Sequence, residues 1–247
     1  MNGKLEEALN SNVDSEITRA TSDAFSYFFK TIQTLRAKGG CPWDREQTPL
    51  SMRRDLIEET FEAVDAISSE DAAHAKEELG DVFLNAAMIS YMYEQEGKFK
   101  VAEVLTELAD KLIRRHPHVF GEVKADDEDS ALASWDAAKK VEKHRDGAKG
   151  TMKAVPPSLP SLMRAKKVAK AAIKDGYDFG DEKTILESVI ASLNALKNGE
   201  IPDGTDENSV FGDALFAFSV ISALKKADFE EILNKKTAHF IENYTHL

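Results

Sequence analysis

The sequence predicts an all-α protein. Apolar residues recur every three or four positions in several long stretches, which is the spacing of one face of an α-helix. Glu, Lys, Ala and Leu, which favour helices, are common throughout the chain. Helix-stop and helix-cap residues separate the apolar stretches. Because the composition shifts to Gly and Pro between residues 147 and 160, we expect two helical units joined by a linker.

Charge excludes some classes of partner. The 247 residues carry a formal net charge of −12, which argues against a nucleic-acid-binding groove and against an anionic membrane surface. A phosphorylated small molecule is still compatible with this charge, because Mg²⁺ can neutralise both partners. We therefore expect neither nucleic acid nor membrane among the partners.

The expected location is the reducing cytoplasm. Cys41 is the only cysteine, so an intrachain disulfide is not possible. The first ten residues lack the basic segment and apolar core of a signal peptide. The apolar run around residues 82–93 is too short and too interrupted to span a bilayer.

The first predicted helix follows a polar segment, residues 1–23, that we expect to be flexible. An apolar stripe from Ala24 to Leu35 predicts the helix, and Lys38-Gly39-Gly40 predicts its end. A turn at Cys41-Pro42-Trp43-Asp44 follows. Thr48 is the expected N-cap of the next helix, with Pro49 at its first position.

An acidic helical hairpin between Asp55 and Asp81 is the most informative stretch of the chain. Its first helix has an apolar stripe at Leu56, Ile57, Phe61, Val64 and Ile67. A second stripe on the same helix carries the carboxylates of Asp55, Glu58, Glu59 and Glu62. Asp71 is the expected N-cap of the second helix, in which Glu78 precedes Asp81 by three residues. Because the turn is short, we expect the helices to pack antiparallel with their carboxylates facing each other.

Two interpretations of these carboxylates are open. Glu is a common residue on helix surfaces, so the stripe of carboxylates on the first helix is compatible with a solvated acidic face. Alternatively the hairpin binds a hard cation, because Mg²⁺ prefers oxygen ligands and facing helices can hold two ions. The Glu-x-x-His pattern of di-iron bundles is absent from both helices. Spacing also leaves open whether Glu58 or Glu59 is the partner of Glu62.

A third amphipathic helix is predicted from Phe99 to Arg115, after a stop at Gly97. It ends in three cations, Lys111, Arg114 and Arg115. Cations at a helix C-terminus complement the helix dipole, a contribution of roughly 0.3–1 kcal/mol. Three cations beside an acidic hairpin equally favour phosphate binding. Both interpretations stay open on this evidence.

Residues 122–160 differ in composition from the helices before them. An acidic run at residues 126–129 is followed by a predicted charged helix from Ala131 to Arg145, which carries Trp135. Glycines and prolines between residues 147 and 160 predict a linker.

Residues 161–247 resemble a degenerate copy of residues 24–121. Gly80-Asp81 is echoed by Gly212-Asp213, and Ile89-Ser90 by Ile221-Ser222, at the same offset. Most acidic residues of the first copy are replaced in the second, and Asp213 is retained. Because a single carboxylate holds Mg²⁺ poorly, we expect the second copy to be structural.

Four motifs in this order resemble the MazG family of nucleoside triphosphate pyrophosphohydrolases, in its two-repeat, all-α form. They are Gly40-Cys41-Pro42-Trp43-Asp44 with Gln47-Thr48, Glu58-Glu59-x-x-Glu62, Glu77-Glu78-Leu79-Gly80-Asp81, and the segment from Arg114 to Gly121. The acidic motifs alone are weak signals, but the combination is specific. The resemblance covers nearly the whole chain from about Phe25 onward, and it implies units of four-helix-bundle type.

The resemblance implies an activity and a set of site residues. Family members hydrolyse nucleoside triphosphates, including deoxy forms, to monophosphate and diphosphate, and so remove unwanted nucleotides. The implied cofactor is Mg²⁺, for which Mn²⁺ can substitute. The implied metal ligands are Glu59, Glu62, Glu78 and Asp81, while Glu58 would orient the attacking water or take its proton. The implied phosphate contacts are Lys111, Arg114 and Arg115. Trp43 either stacks on a base or belongs to the core.

The resemblance also implies a homodimer with sites at or near the subunit interface. In the two-repeat enzymes that this chain resembles, the second repeat carries the activity. Here Ala238 and His239 stand where arginines are expected, so we expect the first repeat to be the active one. The alternative is a catalytically weak nucleotide- or protein-binding module with a relic acidic site. The sequence predicts no preference among bases.

Overall fold

The structure, a computed structural model, describes residues 3–11, 13–142, 147–200 and 206–244. Every regular element in these ranges is a helix, which confirms the predicted all-α class. None of these helices is both long enough and apolar enough to cross a membrane. The chain divides into two compact units, Met1–Glu142 and Lys143–Leu247.

The bounds of the helices follow the predicted pattern in most places. The first unit contains α1 (Gly3–Ser11), α2 (Ser15–Arg36), α3 (Pro42–Glu46), α4 (Arg53–Ser68), α5 (Ala72–Gln95), α6 (Val101–Arg115), α7 (Pro117–Phe120) and α8 (Glu128–Glu142). The second unit contains α9 (Gly147–Lys153), α10 (Ser161–Lys174), α11 (Glu182–Asn198), α12 (Glu207–Lys225) and α13 (Phe229–Asn243). The units divide between residues 142 and 143, just before the Gly/Pro linker predicted at residues 147–160. The division into repeats, residues 24–121 and 161–247, stays a prediction.

Two helices, α2 and α9, differ in position from the sequence-based prediction. Helix α2 begins at Ser15 because the Asp14 carboxylate caps it, accepting hydrogen bonds from the Glu16 and Ile17 amides at 2.9 and 3.0 Å. The apolar stripe, which predicts a helix start at Ala24, covers only the later turns of α2. Helix α9 lies in the predicted Gly/Pro linker, where packing against α10 offsets the low helix propensity of its glycines. The end predicted for α8, Arg145, lies outside the described residues.

The predicted start of α4 at Thr48-Pro49 is wrong. The helix begins at Arg53. Thr48 and Ser51 exchange two hydrogen bonds of 2.9 and 3.1 Å between their side chains and backbone amides. This exchange closes a separate turn before the helix, so Thr48 caps a turn of the chain and not α4. The Met52 side chain follows this turn and is buried in the core.

The core of the first unit joins α2, the start of α4 and the C-terminal half of α5. Its buried residues are Ile32, Met52, Ala87, Met88 and Met92. Phe29 of α2 meets Tyr91 of α5 edge to face, with ring centroids 5.5 Å apart. Arg36 donates to the side-chain oxygen of Gln95 at 2.7 Å and to the backbone carbonyls of Asp44 and Gln47. The guanidinium thereby ties α3 and the following turn to α2 and α5.

Helices α4 and α5 pack closely against each other as the predicted hairpin. Asp71 caps α5 as expected, accepting from the Ala73 and His74 amides at 3.1 and 3.0 Å. The face of α4 toward α5 is formed by small side chains, because Ala63 and Ala66 are the buried residues of that helix. The predicted apolar stripe of α4 lies mainly on the exposed side of the protomer. Its exposed members are Ile57, Phe61, Val64 and Ile67.

The second unit packs around Ala169, Ile185, Val220 and Ile221. Helix α12 is central to it, because α12 contacts α10, α11 and α13. The carbonyl of Ala227 accepts hydrogen bonds from Lys166 at 2.6 Å and from Ser222 at 2.8 Å, which joins α10 to the end of α12. The unit therefore has a core of its own.

Replacing Met88 with Ala tests the core of the first unit. Met88 is buried among residues of three chain segments, so the change leaves a cavity and is expected to lower the free energy of unfolding by roughly 2–5 kcal/mol. Urea unfolding followed by circular dichroism measures this. The control is Leu50→Ala at an exposed position, with an expected change within about 0.5 kcal/mol. Equal effects of the two substitutions would show that Met88 is not part of a tightly packed core.

Candidate metal centre

Three carboxylates meet across the α4–α5 hairpin. Glu59 of α4 and Glu78 and Asp81 of α5 each offer one oxygen, and all three oxygens lie within 4.8 Å of one another. Glu78 is buried, and the other two residues are half-buried. We call Glu59, Glu78 and Asp81 the carboxylate cluster.

The local sequence explains why the carboxylate cluster forms. On α4, Glu59 stands on the same side as Ala63 and Ala66, whose small side chains let α5 approach. On α5, Glu78 and Asp81 are nearly one turn apart and begin the buried face that continues to Met88. The packing that places Met88 in the core therefore also directs the two acids toward α4.

The carboxylate cluster is electrostatically unfavourable by itself. Desolvation raises the pKa of Glu59 above its ordinary value, and the charges of Asp81, Glu62, Glu78 and Glu58 raise it further, in decreasing order. Like charges held this close oppose ionisation, and a divalent cation would remove that opposition. Oxygen ligands of this type are those that Mg²⁺ prefers.

Asn85 is a polar residue of this face that the motifs of the sequence did not indicate. It is buried on α5 one turn after Asp81, and its amide nitrogen donates to the Asp81 carbonyl at 3.0 Å. Its Oδ1 is buried and has no hydrogen-bond partner within the described residues. The i, i+4 spacing from Asp81 is the signal that could have found it. Three carboxylate oxygens and an unpaired amide oxygen on the same hairpin fit a hard cation.

Glu58 and Glu62 lie outside the carboxylate cluster. Both residues are exposed, and the Glu58 carboxylate faces the Arg54 guanidinium at 3.9 Å. Their charges nevertheless contribute to the raised pKa of Glu59. The structure thus brings Glu59, and not Glu58, to the acids of α5, while the roles of Glu58 and Glu62 stay predictions.

The cations of α6 belong to a helix that packs against α5, which carries two acids of the carboxylate cluster. Lys111 is half-buried and Arg114 is exposed. The Arg115 guanidinium lies 5.3 Å from the ring centroid of Trp135, and the His116 ring meets the same indole at 4.7 Å. Trp135 therefore packs α8 against the end of α6. Contact of these cations with phosphate stays a prediction.

Trp43 is not a core residue of the protomer. It lies on α3 and is 59% exposed. Of the two interpretations that the sequence left open, the core interpretation is therefore wrong. Stacking on a base stays a prediction.

In the part of the second unit that the structure describes, no comparable group of metal-ligating side chains is found. Asp213, the acid retained from the predicted copy, is exposed on α12. Glu187 of α11 faces Lys183 at 3.8 Å on the surface.

Replacing Glu59 with Gln tests the repulsion within the carboxylate cluster. Because its folded-state pKa is raised, Glu59 contributes stability that is present below its unfolded-state pKa and lost as pH rises through its folded-state pKa. The substitution is therefore expected to raise the melting temperature at neutral pH in EDTA. We also expect Mg²⁺ to raise the melting temperature of the wild type, and to raise that of Glu59→Gln less. Differential scanning fluorimetry measures both.

The control for this experiment is Glu242→Gln, which makes the same charge change on an exposed turn of α13. It should leave the response to Mg²⁺ unchanged. A lower melting temperature of Glu59→Gln in EDTA would show that the cluster is not repulsive.

Comparison with known proteins places this site in a family domain. A family model described as the MazG nucleotide pyrophosphohydrolase domain matches residues 47–120. That range contains the carboxylate cluster and the cations of α6.

Relatives that align with most of this chain extend the similarity beyond residues 47–120. Over 220 residues the chain is 33% identical to the nucleoside triphosphate pyrophosphohydrolase/pyrophosphatase MazG of Thermotoga maritima, covering 89% of this chain and 84% of that protein. Over 190 residues it is 33% identical to the nucleoside triphosphate pyrophosphohydrolase of Escherichia coli K12, covering 75% and 72%. Over 225 residues it is 37% identical to the Bacillus subtilis protein YabN, covering 90% of this chain but 46% of YabN, so it spans about half of that relative. The similarity to the Thermotoga protein runs through most of both chains, and the chain belongs to the MazG family.

Proposed function

We propose that this protein is a Mg²⁺-dependent nucleoside triphosphate pyrophosphohydrolase. It would split ribo- and deoxynucleoside triphosphates at the α-phosphorus into the monophosphate and diphosphate, as a house-cleaning enzyme of the nucleotide pool. The observation that carries the proposal is the carboxylate cluster, three acid oxygens within 4.8 Å inside a MazG domain. The names of the Thermotoga and Escherichia relatives support the reaction class.

The metal ligands would be the carboxylate cluster together with Glu62. Glu62 follows Glu59 by three residues, and its charge already acts on Glu59. When bound, Mg²⁺ would neutralise triphosphate charge and make the α-phosphorus more electrophilic. Mn²⁺ accepts the same oxygen ligands and would substitute.

The remaining residues would orient the substrate and balance its charge. Lys111, Arg114 and Arg115 on α6 would contact the phosphates and stabilise the negative charge that develops on the leaving diphosphate. Glu58 would orient the attacking water or take its proton. The exposed indole of Trp43 is available to stack on a base.

In this proposal the first unit is the active one and the second is structural. The second candidate function is a weakly active binding module with a relic acidic site. Its support is that the sequence of the predicted second copy lacks most of these acids. The intact carboxylate cluster of the first unit favours the enzyme. A cytoplasmic location, and the absence of nucleic acid and membrane from the partners, stay predictions.

We propose further that the protein is a homodimer that pairs through the exposed apolar face of the α4–α5 hairpin. On α4 this face contains Ile57, Phe61 and Val64, at i, i+4 and i+7. On α5 it contains Leu79 and Phe83, and the Phe83 side chain is 65% exposed. Single exposed apolar residues are ordinary, but a grouped set on one hairpin is typical of an interface.

The first activity measurement is diphosphate release from the standard ribo- and deoxynucleoside triphosphates, with Mg²⁺ and with EDTA. We expect Mg²⁺-dependent diphosphate from the wild type. Turnover of Glu78→Gln and of Glu62→Gln is expected to fall by about 100-fold or more, because each change would remove a metal ligand. Glu242→Gln serves as the control for the loss of an exposed carboxylate.

Other products would contradict parts of this mechanism. Release of single phosphate would move the attack to the γ-phosphorus. Wild-type turnover by Glu62→Gln would remove Glu62 from the ligand set. A folded protein without turnover of any nucleotide would favour the binding module.

Introducing a charge at Phe83 tests the homodimer. Phe83→Glu is expected to convert the dimer into a monomer, because the interface would bury an unpaired carboxylate. Light scattering coupled to size-exclusion chromatography measures the mass. Leu50→Glu, at an exposed position outside the hairpin, should leave the dimer intact. A Phe83→Glu dimer as stable as the wild type would exclude this face.

A further inference from the structure

The buried carboxylate of Glu78 has a partner at the solvent edge of the site. The Nε2 atom of His74 lies 2.9 Å from Oε1 of Glu78, one turn away on α5. The Glu78 side chain is 10% exposed and that of His74 is 49% exposed. In the part of the chain that the structure describes, His74 is the one side chain that bonds to the Glu78 carboxylate.

The hydrogen bond has a defined direction. A carboxylate oxygen accepts, so Nε2 of His74 carries the hydrogen and donates it to Oε1. The position of His74 is itself restrained, because its backbone amide donates to the capping carboxylate of Asp71 at 3.0 Å. The cap therefore fixes the backbone of the first turn of α5, which carries His74.

We propose that His74 is a positioning residue of the metal centre. By holding Oε1 of Glu78, it leaves the other carboxylate oxygen to bind the cation beside Glu59 and Asp81. Hydrogen bonds of this kind orient ligating carboxylates, and their loss usually weakens metal binding by about 10–100-fold. This inference rests on the proposed function, because it assumes that the carboxylate cluster binds Mg²⁺.

An ordinary surface ion pair does not account for the contact. The pair of Arg54 and Glu58 on α4 has that character, with a distance of 3.9 Å and side chains that are 85% and 58% exposed. Such pairs contribute little to stability and do not fix the position of either side chain. His74 instead contacts an acid that the protein has removed from water, where a carboxylate without a hydrogen bond is costly.

The test is isothermal titration of the full chain with Mg²⁺ alone. His74→Ala is expected to bind Mg²⁺ at least about tenfold more weakly than the wild type. His74→Gln is expected to recover most of the affinity, because an amide at this position can donate to a residue one turn away. Lys76→Gln, which removes an exposed charge from the same helix, should stay within about twofold of the wild type. Melting temperatures in EDTA establish that each variant is folded.

The possible outcomes separate this inference from the proposed function. If the wild type binds Mg²⁺, Glu78→Gln does not, and His74→Ala binds like the wild type, the metal centre stands and the role of His74 is rejected. A His74→Gln variant as weak as His74→Ala would likewise reject orientation by hydrogen bonding. If the folded wild type does not bind Mg²⁺, the proposed metal centre fails and the inference fails with it.

Discussion

The close packing of α4 against α5 is the constraint on which the carboxylate cluster depends, because it holds together groups whose charges repel. These groups stay together because other contacts hold the two helices close. Ala63 and Ala66 let the helix axes approach, and the core around Met88 anchors α5 against α2 and the start of α4. The raised pKa of Glu59 is the cost of this arrangement. The helix packing that groups the acids is thus opposed by the charges of those acids, and a bound cation would offset this repulsion.

In the α4–α5 hairpin, most of the larger apolar side chains of α4 are exposed. The buried face of α4 uses alanines, while Ile57, Phe61 and Val64 are exposed. Close approach of α5 requires small residues, so bulky residues are placed on the other side of the helix. The homodimer that we propose would cover this second face, and the metal centre and the subunit interface would then use opposite faces of one hairpin.

The second unit shows that helical packing does not require the acids. Its helices surround Ala169, Ile185, Val220 and Ile221. Buried Ser222 and half-buried Lys166 both donate hydrogen bonds to the Ala227 carbonyl, just after α12. In its described residues no group of metal-ligating side chains accompanies this core. Core residues are constrained by volume and by hydrogen bonding, whereas grouped carboxylates repel one another unless a cation or a shared proton lies between them.

Sequence alone determined the helical class and the cap at Asp71, because helix periodicity and capping act within a few residues. It also indicated Glu78 and Asp81 on α5, but the spacing left Glu58 and Glu59 as alternatives on α4. Tertiary structure decided which side of each helix is buried. It placed Glu62 outside the carboxylate cluster, exposed Trp43 and Phe83, and used Thr48 to cap a separate turn. It also placed His74 against the Glu78 carboxylate and buried Asn85 one turn after Asp81. A helical stripe is a local property of the chain, but the surface that it meets depends on the neighbouring helices.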